Sequence, residues 1–267
     1  MLHTKKSKNE INNIVNQILL EYSGYRVFKY PYQITSDSSE YRAVYSQDYE
    51  RYSKLMNFLP NIEPKSRVLE VGTGIGYLAV MLKRIFNYDV TTIEHPSRES
   101  LKNRDFLNRI AKEGIQIKAV NILSDMDIDK NIYDMVVFSE VLEHISPTPD
   151  MIKKVFDNLT GIVKQNGYIV VTTPNVGTLE SRLRALRGVS IQPFPLQDMT
   201  DDTYEHVRIY SAGEIKRILE IYHFEIIKIG YSNYIKGKLV SDLKRIILSK
   251  IAPVMSANIM ISARKTK

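Results

Sequence analysis

The run Val68-Leu69-Glu70-Val71-Gly72-Thr73-Gly74-Ile75-Gly76-Tyr77 constrains this chain more than any other stretch. A short apolar strand ends around a carboxylate, glycine then takes every second position, and a helical apolar pattern begins at Tyr77. Glycine is needed where the backbone enters the left-handed region, or where a ligand comes too close for a Cβ. A helix that starts directly behind such a loop turns unpaired N–H groups towards whatever lies over it. The spacing Glu-x-Gly-x-Gly-x-Gly is not the Gly-x-Gly-x-x-Gly of the dinucleotide fingerprint. The loop therefore predicts a bound ligand, and its identity has to come from the chain beyond Tyr77.

Beyond Tyr77 the pattern alternates strand and helix. Strands are expected at Asp89–Ile93, Gln116–Val120, Met135–Phe138, Tyr168–Thr173, Phe224–Tyr231 and Ala257–Ala263. Helices are expected at Tyr77–Phe86, at Ser97–Lys112 between Pro96 and Gly114, from the N-cap run Thr148-Pro149-Asp150 onward, and at Ala212–Tyr222. This alternation predicts an α/β domain with a parallel sheet and helices on both faces. In such sheets ligands bind beyond the carboxyl ends of the strands, where Glu70, Glu94, Asn121, Ser139 and Thr173 fall. A carboxylate at Glu94 can accept both ribose hydroxyls of a nucleoside.

The glycine loop, Glu94 and the segment Ser139-Glu140-Val141-Leu142-Glu143-His144-Ile145 together resemble class I S-adenosylmethionine-dependent methyltransferases. The last segment is similar to the ubiquinone-biosynthesis O-methyltransferase-like subfamily, and the resemblance runs from about Arg67 to the C-terminus. It implies a Rossmann-like α/β fold with a seven-stranded, mostly parallel sheet, whose last strand runs antiparallel in a hairpin with the sixth. It implies S-adenosyl-L-methionine as methyl donor, bound by Glu70, Gly72, Thr73, Gly74, Gly76, Glu94, His95, Asn121, Ile122 and Ser139. Where this chain has Asn121, the family usually carries an acid that meets the adenine amino group. The asparagine amide oxygen can accept the same bond.

On the acceptor side, Glu140, Glu143 and His144 share one face if their segment turns helically, and His206 lies 62 residues beyond His144. Two carboxylates and two imidazoles suit Mg²⁺, Mn²⁺, Fe²⁺ or Zn²⁺. The arrangement resembles the metal-binding set of small-RNA 3′-end 2′-O-methyltransferases, which makes these four residues candidate ligands of Mg²⁺ or another divalent metal. Coordination would lower the pKa of an acceptor hydroxyl. Two other roles stay open: His144 as a metal-free general base with Glu143 beside it, or both residues merely shaping the loop. Asn175 in Thr172-Thr173-Pro174-Asn175, Tyr45 and His206 are candidate substrate contacts.

The resemblance implies transfer to a hydroxyl of a small-molecule, lipid-linked or glycan acceptor. An RNA 2′-O-methyltransferase is the next reading, favoured by the metal-ligand pattern and the positive charge; nucleic acid is less well supported as acceptor, because no added RNA-binding module or RNP-type aromatic pair is visible. Base N-methylation is disfavoured, because Ser139-Glu140-Val141-Leu142 stands where an Asn/Asp-Pro-Pro-aromatic motif would be. A non-catalytic membrane- or partner-binding protein on the same fold is the alternative of another class.

Residues 1–63 read as an N-terminal helical cap and 64–267 as the donor-binding domain, with insertions at about 176–204 and 232–256. Asn9–Tyr22 carries a helical apolar stripe, and Glu40–Leu59 places Tyr41, Tyr45, Tyr49 and Tyr52 at nearly helical spacing. Those rings either pack the cap on the core or present a π face to a cation or aromatic substrate. The insertions interleave leucines and isoleucines with basic residues: Leu179, Leu183 and Leu186 with Arg182, Arg184 and Arg187, and Leu239, Leu243, Ile246, Ile247 and Ile251 with Lys238, Lys244, Arg245 and Lys250. Such segments can pack on their own core, form a homodimer interface, or lie peripherally on a membrane. A net charge of +7 fits an anionic partner and equally a solvated basic surface. No cysteine is present, which excludes thiolate chemistry and disulfides. With no signal-type or spanning apolar run, a cytoplasmic location is expected.

Overall fold

The computed structural model describes residues 6–24, 39–191, 206–233, 247 and 250–267. They gather in two compact units, one of residues up to Asn121 and one of Ile122–Asn233 with 243–267. The first unit holds helices α1 (Lys8–Glu21) and α2 (Ser39–Phe58), strand β1 (Arg67–Val71), α3 (Tyr77–Phe86), β2 (Asp89–Glu94), α4 (Arg104–Lys112) and β3 (Gln116–Ala119). The second holds β4 (Tyr133–Ser139), α5 (Pro149–Ile162), β5 (Val163–Pro174), α6 (Leu179–Leu186), α7 (Ala212–Ile221), β6 (Phe224–Ser232) and β7 (Asn258–Lys265). The strands form one seven-stranded sheet in the order β3-β2-β1-β4-β5-β7-β6. Strands β1, β2 and β3 pair in parallel, as do β4 and β5, while β7 runs antiparallel to both β5 and β6. This is the expected Rossmann-like α/β architecture, with the predicted terminal hairpin.

In the first unit, α3 buries Tyr77, Leu78, Ala79, Val80, Met81, Leu82 and Ile85, so it is apolar nearly all round and sits inside the unit. Helix α1 packs its Ile11, Val15, Ile18 and Leu19 stripe on α2 and α3. A capping box between Ser7 and Glu10 starts it. Arg84 on α3 ties α1 down through Glu21, and also pairs with Glu113 behind α4. The expected continuous helix 97–112 is instead a 3₁₀ turn at Glu99–Lys102 followed by α4. Asn103 causes the break: its side chain accepts the Phe106 N–H (2.8 Å) and caps α4.

In the second unit, Met135, Val136, Val137 and Phe138 of β4 are all buried, as a strand covered on both faces requires. Thr148 caps α5, with Pro149 in its first turn, as expected. Strand β5 starts at Val163, five residues before the expected Tyr168. Helix α6 confirms the first amphipathic segment as a helix, and none of its residues is buried. Leu239, Leu243, Ile246, Lys238, Lys244 and Arg245 lie outside the described residues, as do 192–205 and the side chain of Tyr41. No described helix is long and apolar enough to cross a membrane.

Candidate active site

The first unit builds a ligand cradle at the end of β1. Gly72, Gly74 and Gly76 all take positive φ, of 88°, 53° and 80°. A Cβ on Gly76 would meet Ile110 Cδ1 at 2.6 Å, so this glycine lets α3 pack against α4. A Cβ on Gly74 would meet nothing within 4 Å, so this glycine leaves the loop open on one side. The loop is held from β2. Gly72 N–H donates to Ile93 O (2.9 Å), the Thr73 and Thr92 hydroxyls pair at 2.7 Å, and Gly74 N–H donates to Glu94 Oε2 (2.8 Å). No side chain caps α3, whose first N–H groups and positive dipole end face the loop.

Glu94 is nearly buried at the end of β2 and also accepts the His95 N–H (2.8 Å), with Arg98 at 3.5 Å. An ionised carboxylate has about four lone-pair positions, so these bonds leave it capacity for ribose hydroxyls. The His95 ring sits outward against Ser97 (2.7 Å). Asn121 follows Val120, whose N–H bonds Glu94 O (2.9 Å), so it emerges beside the strand end that carries Glu94.

Glu70 is 1% exposed, and burial pushes its carboxyl up to about 8, against opposing hydrogen bonds from Thr92 and Ala79. The nearby Glu94 charge adds to the rise. Glu70 is therefore largely protonated at neutral pH and acts as a neutral buried group beneath the loop.

Sequence reasoning missed a charged pair in the same unit. Asp48 and Arg51 on α2 pair at 3.2 Å and are almost buried, and the Arg51 guanidinium lies 4.5 Å over the Tyr52 ring. Tyr52 in turn packs edge-on against Tyr77, the first residue of α3 (5.7 Å, 81°). The available signal was Asp48 itself, a charge on the inward stripe it shares with Tyr52, Leu55 and Leu59. Tyr45 donates its hydroxyl to Asn16 on α1, a contact within the cap.

The second unit brings three of the four candidate ligands together. One ligand atom from each of Glu143, His144 and His206 lies within 4.8 Å of the others. Glu143 and His144 stand on a single 3₁₀ turn, Leu142–His144. His206 arrives from far along the chain: Arg208 N–H donates to Glu143 O (3.1 Å), and Tyr210 bridges to Asn175. The imidazole centroids are 5.1 Å apart, and His206 Nε2 is 4.0 Å from Glu143 Oε1. Glu143 is 1% exposed, and its Oε2 accepts the Thr173 hydroxyl (2.9 Å). A carboxylate so deeply buried is stabilised by positive charge beside it, from a protonated imidazole or a cation.

Glu140 stands apart from this cluster. The face shared with Glu143 requires a helical turn from residue 140, but Glu140 has φ 55° and the turn begins only at Leu142. Its carboxylate instead accepts the Thr172 hydroxyl (2.7 Å), which also meets Ser139 Oγ (2.8 Å). Ile122 is buried, and its carbonyl accepts from Asn158 (2.7 Å). Asn175 is committed to the fold: its amide donates to Val254 O (2.8 Å) and Ser256 O (2.7 Å), and its oxygen accepts Gly177 N–H (2.8 Å). Only its second oxygen lone pair is left for an acceptor.

A carboxylate and two imidazoles, with further positions left for water or substrate, match a mononuclear divalent site. Ligand bonds of about 2.1 Å at right angles set donors about 3 Å apart, so the cluster needs a modest contraction to close on an ion. The residues fit such a site.

Comparison with known proteins gives the family and the fold. The family described as methyltransferase domain matches residues 43–229. Among solved structures, the chain is similar to geranyl diphosphate C-methyltransferase from Streptomyces coelicolor A3(2), crystallised with Mg²⁺, geranyl diphosphate and S-adenosyl-L-homocysteine. The match has 17% identity over 85% of this chain and 83% of that one, with a TM-score of 0.53. It is also similar to a putative sarcosine dimethylglycine methyltransferase from Galdieria sulphuraria (16%, 84% and 86%, TM-score 0.52) and to the cyclase SpnF (14%, 98% and 97%, TM-score 0.57). At these identities the likeness is one of fold. Among curated proteins, no relative matches the sequence significantly.

Proposed function

Because the chain belongs to the methyltransferase-domain family, we propose that it transfers a methyl group from S-adenosyl-L-methionine to a hydroxyl of a small-molecule, lipid-linked or glycan acceptor. The donor assignment rests on the open side at Gly74, the Glu94 carboxylate beside it and the uncapped start of α3. The Arg51 guanidinium, held by Asp48 on the ring of Tyr52, is a further cation available to the donor's amino-acid carboxylate.

Solved structures of this fold include a C-methyltransferase and an N-methyltransferase, so oxygen has to be argued from the residues. The observation that carries it is the cluster of Glu143, His144 and His206. Bound S-adenosylmethionine supplies a methyl already activated on a sulfonium, so the acceptor side has only to place an oxygen lone pair and remove its proton. A hydroxyl is a weak nucleophile at neutral pH, and a positioned imidazole that takes its proton is worth about 10²–10⁴ in rate. His144 is the base in this reading, and buried Glu143 stabilises the imidazolium that forms. Where Mg²⁺ or another divalent ion is bound, Glu143, His144 and His206 would hold it, and it would lower the pKa of the hydroxyl.

The test uses methyl-labelled S-adenosylmethionine with the protein, Mg²⁺ and extract from its source, followed by partition between organic and aqueous phases. Label in either phase that resists nuclease and mild base, and whose methyl group is shown by mass and NMR spectra of the product to sit on an ether oxygen, supports the reading; label on carbon or nitrogen overturns it. Label only on nucleic acid, or none at all, overturns it. A chelator that stops transfer, with recovery on one specific ion, assigns the cluster to a metal; indifference to chelator assigns it to His144 alone.

A further inference from the structure

Strand β7 alternates polar-side and apolar-side residues, yet both of its faces are buried. Ile259, Ile261 and Ala263 line one face and are closed to solvent. Asn258, Met260 and Ser262 line the other and are only 2%, 5% and 2% exposed. An antiparallel strand with such alternation ordinarily turns its polar face to water. Here Asn258 Oδ1 and Ser262 Oγ are shut away from water and have no hydrogen-bond partner among the described residues. A buried amide or hydroxyl left unpaired is unfavourable, and an aliphatic residue would fill such a position without that cost. Further polar groups join this face. Residues opposite one another in a sheet share a face, and the register sets Ser232 of β6 against Asn258 and Thr172 of β5 against Met260. Ser232 is buried as well. The Thr172 hydroxyl donates to Glu140 (2.7 Å), which brings a carboxylate to the same face just beyond β4.

We propose that this face binds a hydroxyl-rich ligand, the saccharide part of the methyl acceptor. It thereby selects the glycan among the acceptor classes of the proposed function. The link to methyl transfer rests on that function, whereas the binding site itself does not. The face lies one residue from a support of the acceptor cluster: Ile259, next to Asn258, is the register partner of Thr173, whose hydroxyl holds Glu143. The balance of donors and acceptors selects the ligand. Asn258 Oδ1 and the Glu140 carboxylate accept hydrogen bonds, while the Asn258 amide nitrogen and the serine hydroxyls donate. Sugar hydroxyls meet both needs. An ammonium group only donates, an anionic group would be repelled by Glu140, and an apolar acceptor would leave Asn258 unpaired.

The full chain, with S-adenosylhomocysteine present, is tested by saturation-transfer NMR against the methyl glycosides of glucose, galactose, mannose and N-acetylglucosamine. At least one glycoside should bind wild type. Asn258→Leu should weaken that binding about tenfold and Ser262→Ala about threefold. Both variants should keep wild-type S-adenosylhomocysteine affinity. Asn258→Leu should also melt roughly 2–4 °C above wild type, because it removes an unpaired buried amide. A residue placed only for folding would give the opposite sign. In the labelled-methyl assay, acid hydrolysis of the product should release a labelled O-methyl monosaccharide, and Asn258→Leu should raise KM with little change in kcat. The proposal is overturned if no glycoside binds wild type, if Asn258→Leu binds as well as wild type, or if Asn258→Leu melts below wild type. A labelled product without sugar overturns the assignment of the acceptor. Glycoside binding without any methyl transfer would remove the proposed function and leave the site standing.

Discussion

The donor cradle and the acceptor cluster are built in opposite ways. The glycine loop and the strand end that holds it lie close together in the chain, between Glu70 and His95, and their polar groups are held by one another: Glu94 fixes the Gly74 and His95 N–H groups, Thr92 fixes Thr73. The acceptor cluster joins a three-residue turn to a histidine 62 residues later, through one backbone bond from Arg208 to Glu143 and one bridge from Tyr210 to Asn175. The cradle can thus be set by local sequence, while the cluster depends on long-range pairing. Under the proposed function the difference suits the two tasks, a donor common to the family and an acceptor that the fold alone does not set.

The sharpest break in this comparison should come from the cluster. Glu143→Gln and His144→Ala are each expected to cut methyl transfer by about 10²–10⁴, the usual worth of a positioned base, while S-adenosylhomocysteine affinity stays at the wild-type level. Equal losses of rate and donor affinity would merge the two regions into one structural unit.

Gly76→Val should act next most strongly, on stability. It forces a left-handed backbone on a β-branched residue, about 1–2 kcal/mol, and drives a Cβ into Ile110 at 2.6 Å, an overpacking of about 1–3 kcal/mol. Urea unfolding should show a midpoint lowered accordingly.

Glu70 gives a pH signature. Its carboxyl is raised from 4.5 to about 8 in the folded state, so between those values the folded chain binds a proton that the unfolded chain has released. Stability from this group is full below the unfolded value and falls as pH rises to about 8. Glu70→Gln should remove that slope, so its stability relative to wild type should climb with pH across this window and level off above it. Thermal melts at several pH values measure this.

The smallest effect is expected for Arg84→Ala. Its links to Glu21 and Glu113 are partly exposed, and such pairs are worth about 1 kcal/mol or less. Faster hydrogen exchange in α1, with α3 unchanged, would show that the cap opens by itself.

Most of the fold was legible in the sequence because its signals are local. The glycine loop, the apolar runs of β4 and β5, and the cap at Thr148 each act within a few residues. The split of helix 97–112 was missed because Asn103 reads as an ordinary helix residue until its side chain is seen to cap Phe106. Glu140 groups with Glu143 in the sequence because spacing alone cannot report a left-handed residue between strand and turn. Asn175 reads as an acceptor contact, yet its partners, Val254 and Ser256, are about 80 residues away in the chain. Asp48 and Arg51 show the same limit from the other side, since their burial depends on packing that no local pattern expresses.

A calorimetric titration with S-adenosylhomocysteine of wild type, Gly74→Val and His144→Ala tests the division most directly. Gly74 has no atom within 4 Å of a Cβ, so valine there adds side chain on the open side of the cradle at a backbone strain of about 1–2 kcal/mol. Wild type and His144→Ala should bind with similar affinity, and a folded Gly74→Val should not bind. Absence of binding by wild type, or its loss in His144→Ala with retention in Gly74→Val, would contradict a donor cradle built apart from the acceptor cluster.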